Sequence, residues 1–412
     1  GLSITDKGVN VLDPFLGTGT FLVRLLQNGT IKPEDIERKF ASELHGNEIL
    51  LLAYYIAAVN IESTYFDALE ASTSYVGFGG IVLTDTFQMH ETDQRENLYF
   101  SPTNHERVKN QKSLKIKVII GNPPYSRQQK SENDQNQNQK YPELDKSIES
   151  TYAKFSSAQL KAPLYDSYSR AFRWATNRLH ESKDGGVISF VTNGGFLDSK
   201  SFDGFRKSLS KEFHHIYLFN LRGNQRTAGE ESRREGGKIF GSGSRASVVV
   251  TVLVKLPHEV SESGSEIHYF DIGDYLTREQ KLSKIAELVG INVLDKIEWS
   301  TIEPNASADW INQRMDSFAN HDPLNDPEHD ANNPLFTQRF IGLVSGRDAW
   351  NFNSSKKLIV ANTNQMVDFY NSHSGHWFGN VRGLRRRRLC NPPSVGSTPT
   401  RGTNSHSLGI FQ

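Results

Sequence analysis

"VLDPFLGTGTF", Val11 to Phe21, is the stretch that decides the fold. A run of β-formers stops at Asp13, Pro14 follows, and Gly17 and Gly19 flank Thr18 before an apolar helical pattern begins in "TFLVRLLQNG". Proline has no N–H to give a strand ladder, so the strand must end there. Glycine tolerates the backbone of a tight turn and lets a ligand come close to the main chain. The first turn of a helix leaves its N–H groups free. The stretch therefore reads as strand, turn and helix start, with Gly29 closing the helix. Alone, a G-x-G pair suits an ordinary βα turn as well as a ligand loop. A dinucleotide fingerprint needs glycine or alanine three residues after Gly19, where Leu22 stands, and no P-loop sequence is present here.

Working outward, the same alternation recurs as far as Leu256. "EILLLAYYIAAVNIE" reads as an apolar helix, and "GIVLTDTF" and "KIKVIIGNPP" as strands. "LYDSYSRAFRWATNRLHES" sets Leu164, Tyr168, Phe172, Ala175 and Leu179 on one helical face. "GGVISFVTNGGFL", "FHHIYLFNLRG" and "ASVVVTVLVKL" read as three further strands. Alternation of this kind predicts a mostly parallel α/β sheet with helices on both faces. The last two strands have no helical pattern between them, which predicts an antiparallel pair. Ligands in such sheets bind beyond the carboxyl ends of the strands.

Composition narrows the class. The 412 residues carry 47 basic and 47 acidic side chains, so net charge does not point to a polyanion partner. Mean hydropathy is −0.54 and 36% of residues are hydrophobic, polar for a globular chain but sufficient for a core. The single cysteine, Cys390, rules out an internal disulfide and a cysteine-rich zinc site, in keeping with a reducing, cytoplasmic setting. The longest apolar run, Ile49 to Val59, is too short to span a bilayer, and no signal peptide is visible. The chain opens on Gly1 and almost at once on a core strand, so its natural start is expected upstream.

Two segments break the alternation. Residues 127–142 are rich in Gln and Asn and read as a mobile loop. Residues 222–246 hold six Arg or Lys against three Glu, among many glycines. That loop is either a solvated hairpin or a contact to a DNA backbone, through residues such as Arg233 and Arg234. The periodicity weakens after Pro257. The expected division is a catalytic domain over 1–257, a partial second domain over 258–380 and a disordered tail over 381–412, which holds the run Arg385 to Arg388.

Three strand ends in succession carry acids. Asp13 would repel phosphate but pair with an ammonium group. Glu48, in "HGNEI", reads alone as a surface carboxylate, or at a strand end as an acceptor for two ribose hydroxyls, and Asp85, in "VLTDTF", reads as an acceptor for an adenine amine. Ammonium, ribose and adenine occur together in S-adenosylmethionine. A fourth strand ends in "VIIGNPPYS", with Asn122 and Tyr125 on a turn stiffened by Pro123 and Pro124. The exocyclic amine of adenine is a poor nucleophile because its lone pair is delocalised into the ring. Two acceptors, the Asn122 side-chain oxygen and the Pro123 carbonyl, would draw the nitrogen toward a tetrahedral shape. Tyr125 would stack on the base. The stiff turn would hold the geometry an in-line transfer requires. A plain strand-ending turn is the other reading of these four residues.

In this order the motifs resemble the amino-methyltransferases that modify adenine in DNA, of the gamma class. "NEILLLAYYIAAVNIE", "IVLTDTF", "NGGFLDSKSFDGFRKSL", "NLRGNQRT", "FGSGSRASVVVTVLVK" and "GLVSGRDAWNFN" extend the resemblance, over roughly residues 5–372, to the methyltransferase part of type ISP-like restriction-modification enzymes. The resemblance implies a Rossmann-like S-adenosylmethionine-dependent methyltransferase fold. It implies a cofactor loop of Asp13, Pro14, Phe15, Gly17, Gly19 and Thr20, a ribose ligand in Glu48 and an adenine-side pair in Asp85 and Thr86. It also implies a catalytic turn of Asn122, Pro123, Pro124 and Tyr125, no metal, and double-stranded DNA as partner. Phe196 is the residue it offers for packing against an adenine rotated out of the duplex. Such enzymes carry a helix and a cofactor motif before the first strand, and helicase and nuclease parts upstream. This sequence carries none of them, so poor site-specific methylation is expected of this chain alone. Two other readings compete: transfer to RNA or to protein glutamine, and a catalytically silent remnant that binds DNA or a partner.

Overall fold

The structure is a computed structural model. It describes residues 3–69, 74–91, 101–125, 140–181, 184–240, 245–257, 264–288, 297–315 and 352–377, with residues 317 and 336. Residues 381–412 and most of 127–142 lie outside the described residues, as do the tail and loop expected there.

The opening stretch folds as its residues dictate. Strand β1, Asn10–Asp13, is buried along its last three residues, as a strand covered on both faces must be. Gly19 turns the chain at φ +85°, and helix α1, Thr20–Gln27, buries Leu22, Leu25 and Leu26. Strand β2, Leu44–Glu48, is buried throughout. A side chain at Gly46 would stand 2.7 Å from Leu16, so glycine there lets the β1–α1 turn settle on β2. Helix α2, Leu51–Ala68, packs Ala57, Ile61 and Tyr65 inward. Strand β3, Ile81–Leu83, helix α3, Pro102–Ser113, and strand β4, Ile116–Gly121, follow. Next come helix α4, Pro142–Ile148, helix α5, Ser167–His180, and strand β5, Gly186–Asn193. In α5 the buried side includes Tyr168, Phe172, Ala175 and Leu179, the stripe legible in the sequence. Helix α6, Asp203–Glu212, leads to strand β6, His215–Arg222.

Among the described residues the sheet has nine strands in the order β3-β2-β1-β4-β5-β7-β6-β8-β9, in which β7 is Val248–Lys255, β8 Glu266–Asp271 and β9 Ser300–Ile302. The first five pair in parallel. Strand β7, Val248–Lys255, is inserted antiparallel between β5 and β6, as the pattern of the last two strands led one to expect. The loop between β6 and β7 is less plain than expected: it carries a short helix α7, Gly229–Glu235. Among the described residues one apolar cluster, around Phe172, Phe190, Phe196 and Phe205, and a second, around Val11, Leu22, Phe40 and Ile61, form the core.

The expected boundary after Pro257 differs from what the backbone does. Strand β8, Glu266–Asp271, pairs in parallel with β6, helix α8, Arg278–Glu287, follows, and strand β9, Ser300–Ile302, closes the edge. The compact unit runs from Gly1 to Asp316. Arg206 of α6, fully buried, shows why. Its guanidinium donates to the carbonyls of Phe196, Ser199 and Ala308 and pairs with Asp309, tying residues near 308 to the core. Removing one partner of such a buried pair costs about 3–5 kcal/mol. These links join residues far apart in sequence, so periodicity could not reveal them. In the second unit, Ser317–Gln412, the described residues include helix α9, Lys356–Trp377. Among the described residues no helix is long and apolar enough to cross a membrane.

Candidate active site

Because β1 to β4 run in parallel, their carboxyl ends share one edge, and that edge receives Asp13, Glu48, Asp85 and Asn122. Asp13 is fully buried. Its Oδ1 accepts the Phe15 N–H at 3.1 Å, while Oδ2 has no hydrogen-bond partner. Burial raises its carboxyl to about pH 7; the Phe15 N–H lowers it in part and the nearby Glu48 raises it further. An orphaned carboxylate oxygen at a strand end suits an ammonium ligand, whose charge would offset the cost of its burial.

Glu48 fixes the glycine turn. Its Oε2 accepts the Gly17 N–H at 2.8 Å and its Oε1 the Leu50 N–H at 2.7 Å. Each carboxylate oxygen has two lone pairs, so both retain capacity for a further donor. Gly17 sits at φ +56°, and the space beside its Cα is open, as a surface that meets a ligand must be. Asp85 is tied on both oxygens, Oδ1 to the Phe87 N–H at 3.0 Å and Oδ2 to the Tyr141 hydroxyl at 2.8 Å. Burial pushes its carboxyl up, and these two donors hold it down in part. Thr86 donates through its hydroxyl to the Pro14 carbonyl and accepts from the Asn47 amide at 3.2 Å. Buried this way, Thr86 and Pro14 lock the third strand's turn to the first. Phe15 stands edge-on to Phe87 and Phe190 and forms part of the floor. Thr20 faces elsewhere, into a surface depression shared with Thr18, Arg24 and Asn60 between α1 and α2.

The fourth strand brings the NPPY turn against the acids. A Cβ on Gly121 would stand 3.0 Å from Asp13 Oδ1, so glycine lets β4 end beside that carboxyl without displacing it. Asn122 is exposed, Pro123 buried, and Pro124 and Tyr125 half-buried. The Tyr125 hydroxyl donates to the Val191 carbonyl at 3.2 Å, which pins the ring to β5. Burial pushes its phenol well above the ordinary tyrosine range, so it remains a neutral donor.

Not every expected residue lies here. Phe196 is fully buried, packed among Phe172, Phe205 and Trp310, so it has no free face for a base. The stretch "GGVISFVTNGGFL" reads as a strand to its end, but the strand stops at Asn193 and Gly194–Phe196 form a helical turn that folds the ring inward. Arg233 and Arg234 lie on α7, Arg233 exposed and paired with Glu230. Tyr275 holds Arg234 above the ordinary arginine range. Two aromatic residues that sequence reasoning passed over belong to the site. Tyr141 closes on Asp85 and lies edge-on to Phe87. Phe240, the one aromatic of the Arg/Gly loop, lies with its ring centroid 6.4 Å from Tyr125. A lone aromatic in a basic, glycine-rich loop was the visible signal for Phe240. Tyr141 had no local signal.

Residues 38–226 match the Eco57I restriction-modification methylase family. No curated protein sequence matched the chain. Among solved structures, the chain is similar to a nuclease-deletion mutant of the type ISP restriction-modification enzyme LlaGI in complex with a DNA substrate mimic. That similarity has TM-score 0.82 and 47% identity, and covers 93% of this chain and 30% of that one. It is similar to the ATP-dependent type ISP enzyme LlaBIII bound to DNA, with TM-score 0.82 and 42% identity over 90% of this chain and 25% of that one. It is similar to DrdV in a DNA complex, with TM-score 0.77 and 35% identity over 90% of this chain and 35% of that one. The chain thus spans about a third or less of the length of these relatives.

Proposed function

The chain carries an Eco57I restriction-modification methylase domain, and on that premise we propose that it transfers a methyl group from S-adenosylmethionine to the N6 amine of adenine in DNA. The observation that carries this reading is the gathering of Asp13, Glu48, Asp85 and Asn122 on one sheet edge, around a glycine turn that leaves Asp13 Oδ2 unsatisfied. That donor set suits the cofactor. Asp13 would take its ammonium group, Glu48 its ribose hydroxyls and Asp85 its adenine amine. When bound, S-adenosylmethionine supplies a methyl group on a sulfonium that is open to direct displacement.

The protein's part is positioning and electronic. The Asn122 amide oxygen and the Pro123 carbonyl accept the two hydrogens of the target amine, so its lone pair turns toward the methyl donor. Pro123 and Pro124 remove backbone freedom from the turn, and Gly121 sets it beside Asp13. Alignment of reacting groups in this way supplies much of the rate gain in a transfer that needs no covalent intermediate. Tyr125 and Phe240 form an aromatic wall beside Asn122. Stacking on such a wall would hold a base lifted from the duplex. The relatives bound to DNA support DNA as the acceptor class, and the whole type ISP enzymes suggest helicase and nuclease parts as neighbours in a longer protein.

The test is transfer of labelled methyl from S-adenosylmethionine to mixed duplex DNA, RNA and protein, beside Asn122→Ala. Label in DNA adenine that disappears in the variant supports the reading. Label confined to RNA or protein overturns the acceptor. DNA retention without any transfer, equal in both proteins, would leave a binding remnant.

A further inference from the structure

The amino edge of the sheet carries a second constellation, away from the strand ends described above. Strands β6 and β8 run in parallel with His215 opposite Glu266 and Tyr217 opposite His268. Residues two apart on a strand share a face, so His215, Glu266 and His268 stand together on one side of the sheet. His215 Nδ1 lies 3.3 Å from Glu266 Oε2, His268 Nε2 lies 3.7 Å from the same oxygen, and the three ligand atoms fall within 4.8 Å of one another. Four-coordinate zinc, with bonds of about 2.1 Å, holds its ligand atoms about 3.4 Å apart.

Two further features favour a cation. His215 Nδ1 is closed to solvent and makes no hydrogen bond, although a carboxylate oxygen is 3.3 Å away. The distance suits a donor and acceptor but the direction does not. His268 is held in orientation: its ring stacks on Tyr217 at 4.4 Å and meets the edge of Trp299 at 6.4 Å. A preset imidazole costs little to order on binding. Two imidazoles and one carboxylate select zinc or a similar borderline ion over magnesium or calcium, which prefer oxygen alone.

We propose that His215, Glu266 and His268 bind one zinc-class divalent cation, which staples β8 to β6 where the sheet extends past the antiparallel β7. Since a site of this kind binds the folded chain, it raises the folded chain's stability as the metal saturates it. Its distance from the methyl-transfer edge makes the role structural, and the site is independent of the function proposed above.

The experiment is calorimetric titration of zinc chloride into the chelator-treated 412-residue chain, repeated on His268→Gln, Glu266→Gln and the exposed control His105→Gln. The expected result is one equivalent of zinc per chain, a rise in Tm on addition, and retention of both in the control. Affinity should fall about 100-fold or more in each ligand variant, since even groups behind the ligands are worth 10–100-fold. Glu266, whose side chain is 55% exposed at a strand start, serves as the test should His268→Gln not fold. No zinc bound by the parent chain, or equal binding and equal Tm rise in the ligand variants, would overturn the site.

Discussion

The two walls of the candidate active-site edge are built differently. On the first, Asp13, Glu48 and Asp85 are each gripped by main-chain N–H groups of the turns that follow them or lie against them. On the second, Asn122 stands exposed, and its aromatic company comes from Phe240, far along the chain on the β6–β7 loop. The first wall is built from strand ends and short turns. The second depends on a long loop meeting a stiff turn. A cofactor with one fixed shape suits the first, and a base that must enter and leave suits the second. Buried lysine supports this division. Lys281 donates to the carbonyls of Glu235 and Gly237, and so anchors the loop end that follows α7 while leaving Phe240 beyond it partly exposed.

The largest break in that comparison comes from Asn122→Ala. If the second wall carries the chemistry and the first only holds cofactor, methyl transfer should fall about 100- to 1000-fold, the scale seen when a hydrogen-bonding group aimed at the reacting centre is removed. Cofactor affinity, measured by calorimetry, should stay within about twofold. The opposite change is Glu48→Ala. It frees the Gly17 N–H and removes the ribose acceptor, and cofactor affinity should fall about 150-fold or more, which is two hydrogen bonds to a charged group at the lower end of their worth. DNA retention should be unchanged in the same variant.

These walls also differ in how far the sequence exposed them. The acids and the NPPY turn were legible because each lies at the end of a β-run and the topology of a parallel sheet then brings such ends together. The parallel pairing of the first strands follows from the same alternation, but their order in the sheet does not. The place of Phe196 is not legible in the same way, because "GGVISFVTNGGFL" reads as one strand, whereas the strand stops at Asn193 and a single helical turn sends the ring into the core. Tyr141 was passed over because only a closed fold puts it on Asp85. The division at Pro257 was drawn too early because β8 is half-buried and mixes His, Tyr and Asp with its apolar residues, so it lacks a clean strand period.

A smaller effect sharpens the first wall. Asp13 titrates at about 7 in the folded chain, against 3.8 for the unperturbed group. A raised carboxyl keeps its proton in the folded state, so its contribution to stability is present at low pH and is lost as pH rises through about 7. An ammonium ligand prefers the ionised form. Cofactor affinity should therefore strengthen about tenfold between pH 6 and 8, while the free chain loses stability between about pH 4 and 7, where the unfolded carboxyl has ionised and the folded one has not, and levels off above that. In Asp13→Asn both slopes should flatten. A pH series of calorimetric titrations and thermal melts reads both, and a parent slope that survives in the variant would remove Asp13 from the ammonium site.

The smallest change tests whether the aromatic pair on the second wall is a working surface or simple packing. Phe240 is 38% exposed, and its ring stands 6.4 Å from Tyr125, too far for a tight stack and near enough to wall one side of a gap. If the pair only packs, Phe240→Ala should cost stability and nothing else. If it receives a base, the variant should keep its melting temperature within a few degrees, because a partly exposed ring contributes little to the core, and should lose DNA affinity about tenfold, at the lower end of the worth of one base stacked on one aromatic. A duplex with a mismatch at the target adenine separates these outcomes further. The mismatched base is already easier to lift, so the penalty of the variant should persist on it if Phe240 holds the base after flipping, and should shrink if Phe240 only helps to open the duplex.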